Sequence, residues 1–138
     1  FGNQNLAEEN NLTYGTSQVT LALAQLSKRN MAMVGKILEG GVQWLEGAQN
    51  ADGGWGGGGV GASPSSIEET ALATDALLAA GGCKEIVGKG LEWLINGTSH
   101  GRKFPPSAIG FYFAMLWYHE ALYPIIWTVS ALTRAAGK

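Results

Sequence analysis

Charge is what this 138-residue chain has least of: 14% of its residues are Asp, Glu, Lys or Arg, against 46% hydrophobic ones. Nine basic and eleven acidic side chains give a net charge of −2, with no basic cluster. Nucleic-acid binding needs a concentrated positive face, so no nucleic-acid partner is expected. The single cysteine, Cys83, excludes a disulfide within the chain and a thiolate-based metal site. His100 reads as an exposed loop residue and His119 as a surface partner of Glu120. Neither has further ligands at metal-binding spacing, so no metal site is expected. The most apolar stretch, 121–132, is broken by Pro124 and falls short of membrane-spanning length.

Glycine is plentiful, with 21 residues gathered in turns. The most telling of these turns lies in Trp44-Leu45-x-x-x-Gln49-x-x-x-Gly53-x-Trp55. Ile37, Leu38, Val42, Trp44, Leu45 and Ala48 have helical spacing up to Gln49. Residues 50–59 cannot continue that helix, because glycine is costly there and Asp-Gly is a turn pair. Gln49 therefore sits at a helix C-terminus and Trp55 just past the turn. A glutamine there can bond backbone groups of a neighbouring helix end, and the indole can pack beside it. The motif reads as a clip between helices.

Two repeats run through the chain. Gly41-Val42-Gln43-Trp44-Leu45 returns 49 residues later as Gly90-Leu91-Glu92-Trp93-Leu94. Trp55 lies 11 positions after Trp44, and Phe104 lies 11 after Trp93, but Thr98 replaces the glutamine and Arg102 the glycine. The segments beginning at Thr16, Thr70 and Thr128 form a second repeat with steps of 54 and 58 residues. Two helix types alternate in pairs of about 50 residues, and stacked pairs bury what one pair cannot.

The pattern predicts helices over Tyr14–Ser27, Ala32–Gln49, Ile67–Ala80 and Lys84–Asn96, with Ser66 as an N-cap. A further helix is expected to begin at Ser107 and carry Phe111, Tyr112, Phe113, Leu116, Trp117 and Tyr118. Pro124 starts or kinks a last one ending near Ala136. No stretch alternates as a strand, and the class is all-α. Asp52 reads as a turn residue and Asp75 as part of a solvated helix face.

The Gln-Trp motif resembles the repeat of triterpene cyclases of the squalene–hopene type. Ser65-Ser66-Ile67-Glu68-Glu69-Thr70-Ala71 is similar to that family's helix start, with Glu69 where glutamine is usual. The stretch from Ile109-Gly110-Phe111 to Tyr123-Pro124 is similar to its closing segment, with one extra residue. The resemblance implies an αα-barrel fragment of about six helices, residues 1–138 being one C-terminal part of a larger protein. It implies an enzyme that cyclises a linear, squalene-like isoprenoid through carbocations, without a metal or organic cofactor. It also implies cytoplasmic location, with peripheral or monotopic attachment to a membrane surface. The family's catalytic acid belongs to an Asp-x-Asp-Asp motif, and this chain has only the isolated Asp52 and Asp75. No catalytic residue is therefore expected within it. The cation-stabilising candidates are Phe111, Tyr112, Phe113, Trp117, Tyr118 and Tyr123, since aromatic faces attract cations in a dry cavity. Helical spacing would put Phe113 and Trp117 on one face and Tyr112 and Tyr123 on another. Trp44, Gln49, Gly53 and Trp55 are assigned structural roles. Cut barrel faces would expose apolar surface or join a second copy as a homo-oligomer.

Other αα-barrel families fit poorly. Protein prenyltransferase β subunits bind zinc through Asp, Cys and His, and Cys83 lacks the matching aspartate. Thioester domains need a Gly-Cys-Gly-Glu-Gln sequence that Cys83-Lys84-Glu85 does not provide. The alternative is a non-catalytic αα-barrel binding module.

Overall fold

A computed structural model describes residues 11–27, 32–58, 63–111 and 116–137. Five helices and one hairpin follow in order: α1 (Leu12–Ser27), α2 (Ala32–Gly47), α3 (Ile67–Ala80), α4 (Lys84–Gly97), β1 (Ser107–Phe111), β2 (Leu116–Glu120) and α5 (Tyr123–Ala135). Helices α1, α3 and α5 stand side by side as a first layer, with α3 in the middle. Helices α2 and α4 form a second layer, α2 against α1 and α3, and α4 against α3. The first layer is the Thr16, Thr70 and Thr128 repeat, and the second layer is the Gly-x-x-Trp-Leu repeat.

Helix α3 shows why the sequence folds this way. Ser66 caps it, its hydroxyl accepting from the Glu69 amide at 3.2 Å, and Gly81 ends it in the left-handed region at φ 78°. Between the caps, every residue from Thr70 to Leu77 is buried. A helix apolar or small on all sides is one enclosed on all sides. Alanine and threonine at 70–76 let both neighbours approach closely.

The two layers meet in the same way twice. A Cβ at Gly41 of α2 would run into the Thr20 hydroxyl of α1. A Cβ at Gly90 of α4 would lie 2.5 Å from the Thr74 hydroxyl of α3 and 2.8 Å from the Trp55 ring. Thr20 and Thr74 are 54 residues apart, and Gly41 and Gly90 are 49 apart. Each glycine thus removes the side chain that would hold its helix away from its partner. One core cluster lies behind α3, with Leu45, Trp55, Leu77 and Val87. A second joins Ile67, Ala71 and Leu94 to Ala131 of α5.

Two expectations are corrected. The segment after Ser107 is an antiparallel hairpin, with Ser107 opposite Glu120 and Phe111 opposite Leu116. Isoleucine and aromatics pack well on a pleated strand, and that preference outweighs the weak helical pattern. The grouping of Phe113 with Trp117 by helical spacing lapses with the helix, and five helices are described instead of six. Tyr112 and Phe113 lie outside the described residues. Asp75, expected on a solvated face, is 2% exposed. It accepts a hydrogen bond from Ser130 at 2.7 Å and forms an ion pair with Arg134, so α5 supplies what water would have.

Candidate functional site

Each part of the Gln-Trp motif makes a bond that its place in the chain allows. Gly53, at φ 90°, turns the chain, and its carbonyl accepts from Gln49 Nε2 at 2.9 Å. The same amide reaches Ile86 O in the first turn of α4, also at 2.9 Å. Glu46 accepts from the Cys83 amide at 2.7 Å, so a second side chain from the end of α2 ties down α4. The Trp55 side chain, fully buried, donates to Leu45 O of α2 at 2.8 Å. Its backbone joins the start of α3, donating to Thr70 Oγ1 at 2.9 Å and accepting from the Ser66 amide at 2.9 Å. Trp55 thus touches α2, α3 and α4 at once. Asp52 accepts from Gly54 N at 3.0 Å, Ser65 Oγ at 2.7 Å and Trp93 Nε1 at 3.0 Å. Burial opposes its ionisation, but the Ser65, Gly54 and Trp93 bonds prevail and hold its pKa below the ordinary range.

A second cluster lies at the N-terminal ends of the first-layer helices. Glu68 of α3 and Tyr123 of α5 lie close enough to Tyr14 of α1 for their charges to act on it. Glu68 is 5% exposed and receives a hydrogen bond from Ser107 at the start of β1. Burial raises its pKa, the Ser107 bond works against that, and the nearby Glu69 adds to the rise. Glu69 is raised too, by burial first, although Asn11 Nδ2 donates to it at 2.8 Å. Burial also raises Tyr14, followed by the charges of Glu68 and Tyr123. Glu68 opens onto a recess of about 560 Å³ bounded by Ser65, Trp93, Pro105 and Ser107. Tyr14, Glu68 and Glu69 are all pushed toward their neutral forms.

Of the aromatic candidates, Tyr123 stands edge-on to Trp127 at a centroid distance of 6.3 Å. Phe111 lies on β1, and Trp117 and Tyr118 lie on β2, opposite Gly110 and Ile109. The hairpin begins beside Glu68, so these strands start at the cluster just described. Sequence reasoning took Glu68 only as part of a family-like helix start. The signal lay in the repeat: the 54-residue step that joins Thr16 to Thr70 also joins Tyr14 to Glu68. His100 and His119 are both exposed.

Residues 9–136 match the squalene–hopene cyclase C-terminal domain. The chain belongs to that family. No curated protein and no solved structure matches it. The family's αα-barrel accounts for the alternation of the two layers, with the hairpin inserted between α4 and α5. Among the described residues, no helix is long and apolar enough to cross a membrane.

Proposed function

We propose that this chain is the C-terminal part of a squalene–hopene-type triterpene cyclase acting on a linear, squalene-like isoprenoid. It supplies barrel scaffold and part of the cavity lining. The acid that starts the reaction belongs to another part of the enzyme, and no metal or organic cofactor takes part. The observation that carries this reading is the family match across nearly the whole chain.

The cluster at Glu68 supports it chemically. Alkene protonation needs a strong acid, and burial makes Glu68 a weaker one. Glu68 is therefore not the initiator. A carboxyl pushed toward its neutral form beside aromatic rings suits a later stage. Burial disfavours the carboxylate that would trap a carbocation, while aromatic faces stabilise the cation once water is excluded. Phe111, Tyr112, Phe113, Trp117, Tyr118 and Tyr123 are the candidates for that role. Trp117, on β2, is the one we would change first. The whole enzyme would work from the cytoplasm at one membrane leaflet, where its substrate dissolves.

The test is a chimaera in which this chain replaces the C-terminal portion of a squalene–hopene cyclase. Cyclic products from squalene are expected from the chimaera and none from the chain alone. Trp117→Leu in the chimaera should raise the share of incompletely cyclised products. A chimaera that folds but leaves squalene unchanged would sink the proposal.

A further inference from the structure

A buried carboxyl is costly unless a neighbour bonds it, and Glu68 is buried. The repeat of the first-layer helices does not require one there. The 54-residue step carries Glu68 back to Tyr14 of α1, and the 58-residue step carries it forward to Ile126 of α5. The same place in the row is thus filled once by a phenol and once by an alkyl chain. What sets the middle repeat apart is the connection that follows α4. It holds a strand pair, and among the described residues the connection from α2 to α3 has none. The carboxyl and the hairpin meet, because Ser107, the first residue of β1, donates to Glu68.

The two flanks of the hairpin are seated by apolar contact. Phe104, three residues before β1, and Trp127, one turn into α5, both pack on the cluster of Ile67, Ala71, Leu94 and Ala131. Such contact holds a segment near a surface without fixing its direction. A hydrogen bond does fix direction. Pro105 and Pro106 stiffen the step from Phe104 to Ser107, so little slack separates the apolar seat from the polar one. Glu120 stands opposite Ser107 on the first rung, and its own carboxylate is engaged, Oε1 accepting from Leu122 N at 2.9 Å. The foot of the hairpin therefore has two seats adjacent in α3: the cluster at Ile67 and the carboxyl of Glu68.

We infer that Glu68 is a positioning residue: by holding the Ser107 hydroxyl it fixes the direction in which the hairpin leaves α3, and with it the placement of β1 and β2. Its effect on the reaction rests on the cyclase reading, in which those strands carry the candidates Phe111, Trp117 and Tyr118. Its effect on the fold does not rest on that reading.

Amide hydrogen exchange in the full 138-residue chain tests the effect on the fold. Glu68→Leu keeps most of the volume and removes the acceptor. It should speed exchange in β1 and β2 by about fivefold or more, the worth of one ordinary hydrogen bond, while α3 and the turn at Trp55 keep their protection. Ser107→Ala, at a half-buried position outside the core, should do the same. The double variant should lose no more than either single one, because both remove the same bond. Glu68→Gln keeps an acceptor of the same reach and should restore the slow rate. Hairpin exchange unchanged by Ser107→Ala or Glu68→Leu would overturn the inference. So would a loss that spreads through α3, or a failure of Glu68→Gln to rescue. In the chimaera, Glu68→Leu and Ser107→Ala should shift the product mixture alike, and Glu68→Gln should bring it back. Products unchanged by both would overturn the effect on the reaction. A chimaera without any activity would count against the cyclase reading and leave the exchange rates to decide this inference.

Discussion

The connections that follow α2 and α4 begin with related words and end differently. After Trp44-Leu45 the turn carries Gln49, bonded to Ile86 O of α4, and Trp55, bonded to Thr70 of α3. After Trp93-Leu94 the glutamine is Thr98, whose hydroxyl turns back to Leu94 O of its own helix at 2.7 Å. Phe104, standing where the repeat calls for a second Trp55, is half-buried against the cluster of Ile67 and Leu94. Having no clip, this connection contains the hairpin, and α5 is fastened to α3 by side chains, chiefly Asp75 with Ser130 and Arg134. One repeat is held from its turn and the next from its helix face. This second connection brings Ser107, at the start of the hairpin, to Glu68.

The largest expected effect tests that asymmetry at its aromatic residues. Trp55→Ala should cost about 3–5 kcal/mol, since it removes a fully buried ring and leaves Leu45 O without its indole donor. Phe104→Ala should cost about 1–2 kcal/mol, because part of that ring already faces water. Chemical denaturation of both variants measures the gap. Equal losses would show that the second repeat keeps a working clip.

The side-chain fastening comes next. Asp75→Ala should destabilise the fold by about 2–3 kcal/mol, the partial exposure of Arg134 keeping the loss below that of a fully buried pair. Hydrogen exchange should localise the loosening to α5 while α2 and its turn stay protected. If protection falls first around Trp55, the two repeats share one fastening.

The layer crossings offer a smaller, internally controlled test. Gly90→Ala should cost about 1–3 kcal/mol, as its Cβ would press on Thr74 and Trp55. Gly88→Ala, two residues away with nothing within 4 Å of its Cβ, should stabilise α4 by about 0.5–1 kcal/mol. Thermal melts of both decide it. A harmless Gly90→Ala would mean that the layers can part without loss.

How much of this could be read beforehand differs between the same two regions. The helices were legible because apolar spacing, Ser66 and Gly81 all point one way. The Gln-Trp clip was legible because its four residue types have fixed, local jobs. The hairpin was not, because Ile109, Phe111, Trp117 and Tyr118 satisfy both a helical face and a strand preference over so short a run. Asp75 was misread because its partners, Ser130 and Arg134, are 55 and 59 residues away. A local pattern cannot announce a distant counter-ion. Glu68 was overlooked for the same reason: its burial depends on Ser107 and on helices α1 and α5.

The two regions should also answer pH in opposite directions, and this is the smallest effect expected. Glu68 and Glu69 have pKa values raised in the folded state, mainly by burial, above an ordinary value of 4.5. Folding favours their protonated forms. The stability they contribute is fully present below 4.5 and is lost as pH rises through their raised folded values. Asp52, in the clipped turn, is lowered from 3.8 by the Ser65, Gly54 and Trp93 bonds despite the opposing effect of burial. Its contribution is present above 3.8 and disappears as pH falls through the lowered folded value. Asp52 is almost open to solvent, so its share is slight. Melting temperatures from acidic to neutral pH separate the two. Glu68→Gln keeps a neutral side chain of the same shape at every pH, so it should flatten the decline toward neutrality. Asp52→Asn should leave that decline intact and remove only the acid-side loss. Parallel profiles for Glu68→Gln and the unchanged chain would mean that Glu68 ionises as freely folded as unfolded. The push toward the neutral form assigned to Glu68 would then go with it.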